Sequence, residues 1–356
     1  MKNYFPCDSN KDELILPSVD ELEFIFSHIG DSRSRLIFES RLLYSLSMDE
    51  KYLWNMIKTN NKISDFKERI KNGAYIYGAG QRGNLLVEIF DDIEWKGYID
   101  IEKKGQLNQI PIYGLGIVSN LIAKDEIIVI SNKRGYEDIK KYLVSVGFYE
   151  EKILCLTLFE KVWFGNIYFD ERCLSGIDKC NGIFLDIGCY DGKDSLNAIS
   201  FFKTKDVQVH AFEPDRKNYD ICKSVLENNK KVRLFQKGIS NKRGDINFNE
   251  GGPGAKIDKL GSTKIEVTTI DHHLLNNKVG FIKMDIEGAE EAAIEGGRNS
   301  ILRDKPILAL SIYHKRSDIW RLPLKVLQLY PNYRLEFEHQ LFSWGDTVMY
   351  AIPERE

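Results

Sequence analysis

The chain predicts an α/β protein with two parallel-sheet domains behind a helical segment, and three observations carry that prediction. Strand-like runs alternate with helical runs over about 72–160 and again, on a larger scale, over about 170–356. In each stretch the opening strand runs into a turn containing glycine, Gly78-Ala-Gly-Gln-Arg-Gly83 in one and Gly188-Cys-Tyr-Asp-Gly192 in the other. The length, 356 residues, is too great for one ordinary domain, and 43% hydrophobic with 12% aromatic residues can fill at least one large core.

Residues 1–71 read as helices. Val19–Phe26 and Leu36–Tyr44 place apolar residues three and four apart with charges between them. Ser32 and Ser47 are the expected helix starts. No chemistry is visible here, and the amphipathic set offers a face on which two chains can pair, so a homodimer is one expected arrangement.

Residues 72–160 form the smaller domain. Ala74–Tyr77 reads as a strand, Asn84–Phe90 as a helix, Tyr98–Asp100 and Glu126–Ser131 as strands, and Tyr136–Val146 as a helix. Gly78, Gly80 and Gly83 fit the spacing that brings backbone N–H groups at a helix start up to a phosphate. Asp100 ends the next strand, where a carboxylate takes a ribose hydroxyl. The same glycines also serve close packing of helix on strand, and both readings stay open. With Ile110-Pro-Ile112, the stretch resembles the small Rossmann-like domains of bacterial sugar-modifying enzymes, which implies a nucleotide or sugar-nucleotide pocket. The region 159–179 is the expected linker.

Residues 170–356 carry seven expected strands: Ile183–Ile187, Val207–Glu213, Val232–Gln236, Phe281–Asp285, Ile307–Ile312 and two more near Leu335 and Val348. The first runs through Asp186 into Gly188, Tyr190, Asp191 and Gly192. Two acidic groups flank this turn and no third glycine follows, which disfavours a pyrophosphate and suits a ligand bearing an amine and a sulfonium. Glu213 ends the second strand 27 residues after Asp186, placed to accept both hydroxyls of a ribose, and Pro214 turns the chain onward. Gly238 follows the third strand in the expected adenine-side loop. Loop and acidic strand end together describe an S-adenosylmethionine site, to which Asp285 at the end of the fourth strand also belongs.

If such a site passes a group to an alcohol, it needs in-line placement and a base. Asp285 or Glu287 can orient or deprotonate the acceptor, and His314, with a near-neutral pKa at the same sheet edge, is the leading base. Lys283 shares the Asp285 face and reads as its ion-pair partner. His339 is a lesser candidate for a substrate contact. A divalent metal on Asp285, Glu287 and Asp271 is the alternative arrangement; the carboxylates lack fixed ligand spacing, so no metal is expected.

Four elements of this stretch, Asp186–Asp194, Ala211–Pro214, Phe281–Glu290 and Ile312–His314 with Asp318, together with Val267–Asp271, resemble the FkbM-type methyltransferase family over about 180–353. The resemblance implies a doubly wound seven-stranded sheet and methyl transfer from S-adenosylmethionine, most often to an oxygen of a sugar, glycan or polyketide. A sugar or glycan acceptor, in cell-surface polysaccharide or secondary-metabolite assembly, is the expectation. The competing reading is a nicotinamide-dependent oxidoreductase, or a non-catalytic nucleotide-sugar platform, built on Gly78–Gly83.

Charge excludes less than it disfavours. Fifty basic against 53 acidic residues give a net of −3 and no electrostatic reason to bind nucleic acid. The apolar runs are far shorter than the roughly 20 residues of a membrane span, and the opening residues hold no apolar signal segment. With six scattered cysteines, a cytoplasmic protein with free thiols is expected.

Overall fold

A computed structural model describes residues 14–58, 63–163, 166–175, 177, 180–202, 207–250, 256–257, 260–340 and 345–354. The chain divides into two compact units, one of residues 51–165 and one joining residues 1–50 to 166–356. The expected helical segment 1–71 is thus shared between them.

The smaller unit is built on six strands: β1 (Ala74–Tyr77), β2 (Trp95–Asp100), β3 (Gly105–Leu107), β4 (Ile110–Gly114), β5 (Ile128–Ile130) and β6 (Ile153–Cys155). Their order is β3-β4-β2-β1-β5-β6, parallel except for the β3/β4 pair. β1 and β5 bury every residue but Tyr75, as central strands covered on both faces must. A core of Tyr77, Ile99, Val118, Ile128, Ile130 and Leu143 fills one side.

The larger unit holds β7 (Ile183–Ile187), β8 (Val209–Phe212), β9 (Val232–Phe235), β10 (Gly238–Ile239), β11 (Gly244–Asn249), β12 (Lys256–Ile257), β13 (Thr263–Thr268), β14 (Val279–Met284), β15 (Ile307–Ser311), β16 (Tyr333–His339) and β17 (Thr347–Pro353). Seven of them form one sheet in the order β16-β17-β15-β14-β7-β8-β9. The five strands from β15 to β9 are parallel, and β17 and β16 close the edge antiparallel. Strand order reverses between β7 and β14, and at that switch point an open α/β sheet has its ligand crevice. Phe169, Phe184 and Phe281 stack within the core that fixes these two strands, at interplanar angles of 20–24°.

The amino-terminal helices belong to this sheet. Ile29 makes a parallel bridge to Leu335 on the edge strand β16, with Gly30 N–H donating to the Leu335 carbonyl at 3.0 Å. The Arg172 guanidinium ties the same edge together by reaching Asp31, Glu336 and Glu338. An otherwise bare strand edge is thereby covered.

Local readings differ from the structure at three places. Asp31, rather than Ser32, caps its helix by accepting the Ser34 N–H at 2.9 Å. Ser47 ends that helix instead of starting one, because Met48 takes a left-handed backbone (φ 61°). Part of the expected linker is core, with Tyr168, Phe169, Cys173 and Leu174 all buried. The four-stranded sheet β10-β13-β11-β12 was not expected. The run Asn249-Glu-Gly-Gly-Pro-Gly254 reads from the sequence as a hairpin that could cover substrate or as a plain exposed turn, and its residues 251–254 lie outside the described residues.

Candidate active site

β7 delivers the chain to the crevice through one residue that has to be glycine. Gly188 has φ +83°, and a Cβ there would sit 1.9 Å from the Asp285 carbonyl oxygen. The strand end can therefore pass β14 only without a side chain. Gly188→Ala is expected to displace the turn and abolish S-adenosylhomocysteine binding in calorimetry. Unchanged affinity would show that the turn does not form the cofactor wall.

Beyond this turn lies a cavity of about 280 Å³. Gly188, Tyr190, Asp191, Glu213, Pro214, Gly238, Lys283, Asp285 and Glu287 all line it, so the structure gathers most of the expected site residues at one place. Tyr190 donates its N–H to Glu213 at 3.1 Å, and Asp215 donates its own to the other oxygen at 2.9 Å. Burial pushes the Glu213 carboxyl up to about 7, against those two backbone donors. Asp194, Asn218 and Tyr313 also face the cavity and were missed, as was the apolar wall of Phe248, Ile257 and Ile265 from the small sheet.

Two expected cofactor residues lie elsewhere. Asp186 is fully buried beneath the turn, accepting from Ser195 Oγ at 2.6 Å and paired with Lys283 Nζ at 3.1 Å. A carboxylate so enclosed cannot touch a ligand. Gly192 (φ +76°) makes the turn and packs on Leu226. Lys283 is the cation of this floor. It donates to the Gly188 carbonyl at 2.6 Å, while burial, which would strip its proton, is outweighed by Asp186, Asp194 and Asp285. It pairs with Asp186 at 3.1 Å and Asp194 at 3.7 Å, so the expected direct bridge to Asp285 is replaced by a more distant attraction.

The largest correction concerns His314. The ring is wholly buried, with Nε2 3.2 Å from Asp285 and Nδ1 3.1 Å from Glu290. Burial lowers its pKa, but the two carboxylates win and hold it well above the ordinary histidine value. His314 does not line the cavity, so its position as well as this raised pKa sets it behind Asp285 rather than against an acceptor. Asp285 is correspondingly tamed. Burial raises its carboxyl, yet His314, Lys283 and the Tyr168 hydroxyl hold it well below the carboxylate range. Glu287 goes the other way. Burial raises it, against the pull of His314 Nε2 at 3.7 Å, and the neighbouring Asp285 charge adds to the rise; its left-handed backbone (φ 54°) carries the strain of turning it over the cavity.

Asp271 takes no part. It accepts the N–H groups of Asn299 and Ser300 at 3.1 and 2.8 Å, capping a neighbouring helix. Among the described residues, the set whose donor atoms gather within 4.8 Å is Asp285, Glu290 and His314. Two carboxylates and an imidazole suit a divalent cation when the imidazole is neutral, and form an ion-paired cluster when it is charged. His339 is buried against Thr347, away from the cavity lining.

In the smaller unit Gly83 serves packing, since a Cβ would lie 2.0 Å from the Gly78 carbonyl oxygen. Asp100 accepts from the Ala79, Glu102 and Lys103 N–H groups at 2.8–2.9 Å, so its carboxylate is turned onto its own loop. Gly78 (φ +102°) makes the tight turn, and Gly80 faces open space. No helix among the described residues is long and apolar enough to cross a membrane.

The methyltransferase FkbM domain family matches residues 186–340. A curated relative, the 2-O-methyltransferase NoeI of Sinorhizobium fredii (strain NBRC 101917 / NGR234), is 26% identical over 209 residues, covering 50% of this chain and 83% of that protein. Among solved structures, the methyltransferase FkbM of Methylobacillus flagellatus KT aligns with a TM-score of 0.45 and 18% identity over 86% of this chain and 100% of that one. The S-adenosyl-L-methionine-bound fibrillarin of Aeropyrum pernix aligns with a TM-score of 0.30 and 11% identity over 49% of this chain and 68% of that one. Residues 186–340 thus match the methyltransferase FkbM domain family, and the protein is an S-adenosylmethionine-dependent methyltransferase.

Proposed function

We propose that the protein methylates a hydroxyl of a sugar, glycan or sugar nucleotide. The observation that carries this reading is the pair of unlike carboxylates on the cavity, Asp285 held ionised and Glu287 raised toward protonation. Carboxylates recognise polyols by accepting hydroxyl protons, and Phe248, Ile257 and Ile265 offer an apolar wall for the C–H face of a sugar ring. The similarity to a 2-O-methyltransferase supports an oxygen as the atom methylated.

In this reading the Gly188 turn and Glu213 would hold S-adenosylmethionine, Glu213 accepting from its ribose hydroxyls, and the cofactor would supply the methyl group. Asp285 accepts a hydrogen bond from the acceptor hydroxyl and orients it. As the acceptor oxygen gains the methyl group and S-adenosylhomocysteine would leave, Glu287 takes the hydroxyl proton. His314 and Glu290 act behind Asp285 as fixed charge. Incubation with methyl-labelled cofactor and a panel of nucleotide sugars and free glycans tests the proposal. Label on a sugar oxygen supports it; label only on other acceptor classes overturns it.

A further inference from the structure

The Asp285 carboxylate has donors on both oxygens. Oδ1 faces His314 Nε2 and the Tyr313 hydroxyl, each at 3.2 Å. Oδ2 accepts from the Tyr168 hydroxyl at 2.8 Å. Tyr168 lies outside the matched family segment and ahead of β7, in a stretch expected to be linker. Its neighbours show how firmly that stretch is seated. Asp170 donates its N–H to the Tyr350 hydroxyl at 3.2 Å, that hydroxyl donates to the Ile167 carbonyl, and Phe169 stacks on Phe184 and Phe281.

A phenol has one proton. With that proton on Asp285, the Ser311 hydroxyl 2.9 Å away must donate to the phenolic oxygen, giving a chain from Ser311 through Tyr168 to Asp285. Such chains polarise each member and strengthen the last bond. Lys283 Nζ lies 4.9 Å above the Tyr168 ring, holding it from the other side. Tyr168 is 6% exposed and does not line the cavity, so it acts only through the carboxylate it touches.

We propose that Tyr168 is a positioning residue for methyl transfer: its hydroxyl fixes the rotation of the Asp285 carboxylate that receives the acceptor. The catalytic unit then begins near residue 166, some twenty residues ahead of the matched family segment. This inference rests on the proposed roles of Asp285 and Glu287.

The test is Tyr168→Phe in the full chain, with Ser311→Ala and Glu287→Gln alongside. Rates are read as S-adenosylhomocysteine formed, with the nucleotide-sugar panel and with water, the smallest hydroxyl acceptor, which yields methanol. Tyr168→Phe is expected to leave S-adenosylhomocysteine affinity within about twofold. Turnover should fall about tenfold to a hundredfold, the span of one hydrogen bond to a charged group. Removing the phenol dipole leaves more uncompensated negative charge beside Glu287, so the acid limb of the pH–rate profile should move to higher pH. A packing role would not move it. Ser311→Ala, which leaves Tyr168 in place, should give a smaller loss and a shift of the same sign, and serves if Tyr168→Phe does not fold. Turnover within twofold of the parent and an unmoved limb in the folded variant overturn the proposal. If Glu287→Gln is also unimpaired, the underlying reading of the site fails; if Glu287→Gln collapses alone, only the role of Tyr168 fails.

Discussion

Glu287→Gln is expected to lower turnover about a thousandfold while leaving S-adenosylhomocysteine affinity nearly unchanged, and to erase the acid limb of the pH–rate profile. A positioned base is worth roughly 10²–10⁴ in rate, and Glu287 is the carboxylate whose surroundings leave it basic enough for the task. Asp285→Asn should be as damaging for a different reason. Asp285 accepts on both oxygens, from His314 and Tyr313 on one and Tyr168 on the other, whereas an amide accepts on one and presents a donor at the other. One buried donor then meets another, and His314 keeps Glu290 at 3.1 Å and Glu287 at 3.7 Å as its carboxylate neighbours. The two variants part in their pH behaviour. Asp285 raises the Glu287 carboxyl by like charge, so neutralising it should slide the acid limb to lower pH instead of removing it. Full turnover in Glu287→Gln would place the proton acceptor elsewhere; an unmoved limb in Asp285→Asn would show that the two carboxylates do not interact.

The parts of this site legible in the sequence are those fixed by local geometry. A strand ending in Gly188 and a strand ending in Glu213 announce a turn and a ribose carboxylate because the backbone imposes both. Protonation was not legible. His314 looked like a base from its residue type, and it is a buried cation because Glu290, four residues beyond Ile286 at the start of a helix, reaches its far nitrogen. Glu290 closes the same Phe281–Glu290 run that pointed to Asp285, so a signal was present, but its pairing needs the fold. Asp186 failed for a similar reason: a strand residue one place before the edge points into the packed floor, where Lys283 and Ser195 meet it. The small sheet had a signal in the alternation of Ile246 with Phe248 and Ile265 with Val267, whose buried faces form one cluster. Tyr168 had none, since nothing in a short stretch between two domains announces a contact 117 positions away.

S-adenosylhomocysteine should bind more weakly as the solution is acidified through pH 7, and Glu213 is the reason. Burial raises its carboxyl to about 7, and the Asp215 and Tyr190 N–H groups only partly offset that. In the proposed pose the ribose hydroxyls donate to this carboxylate, and a protonated carboxyl offers them one acceptor fewer. The ligand therefore selects the ionised form, and below pH 7 binding must expel a proton. Linkage gives the sign and size: affinity is flat above about pH 7.5 and falls toward about tenfold per pH unit below about pH 6.5. Between pH 8 and pH 5.5 the dissociation constant should rise about sevenfold to twentyfold, with part of a proton released per ligand at the acid end. Calorimetry in buffers of different ionisation enthalpy reads both quantities. Glu213→Gln should bind about tenfold to a hundredfold more weakly at pH 8, where the parent has a charged acceptor, and should lose the pH dependence altogether. Because the amide cannot ionise, a pH dependence that survives in Glu213→Gln would assign the linked proton to another group, and a flat profile in the parent would remove Glu213 from the ribose.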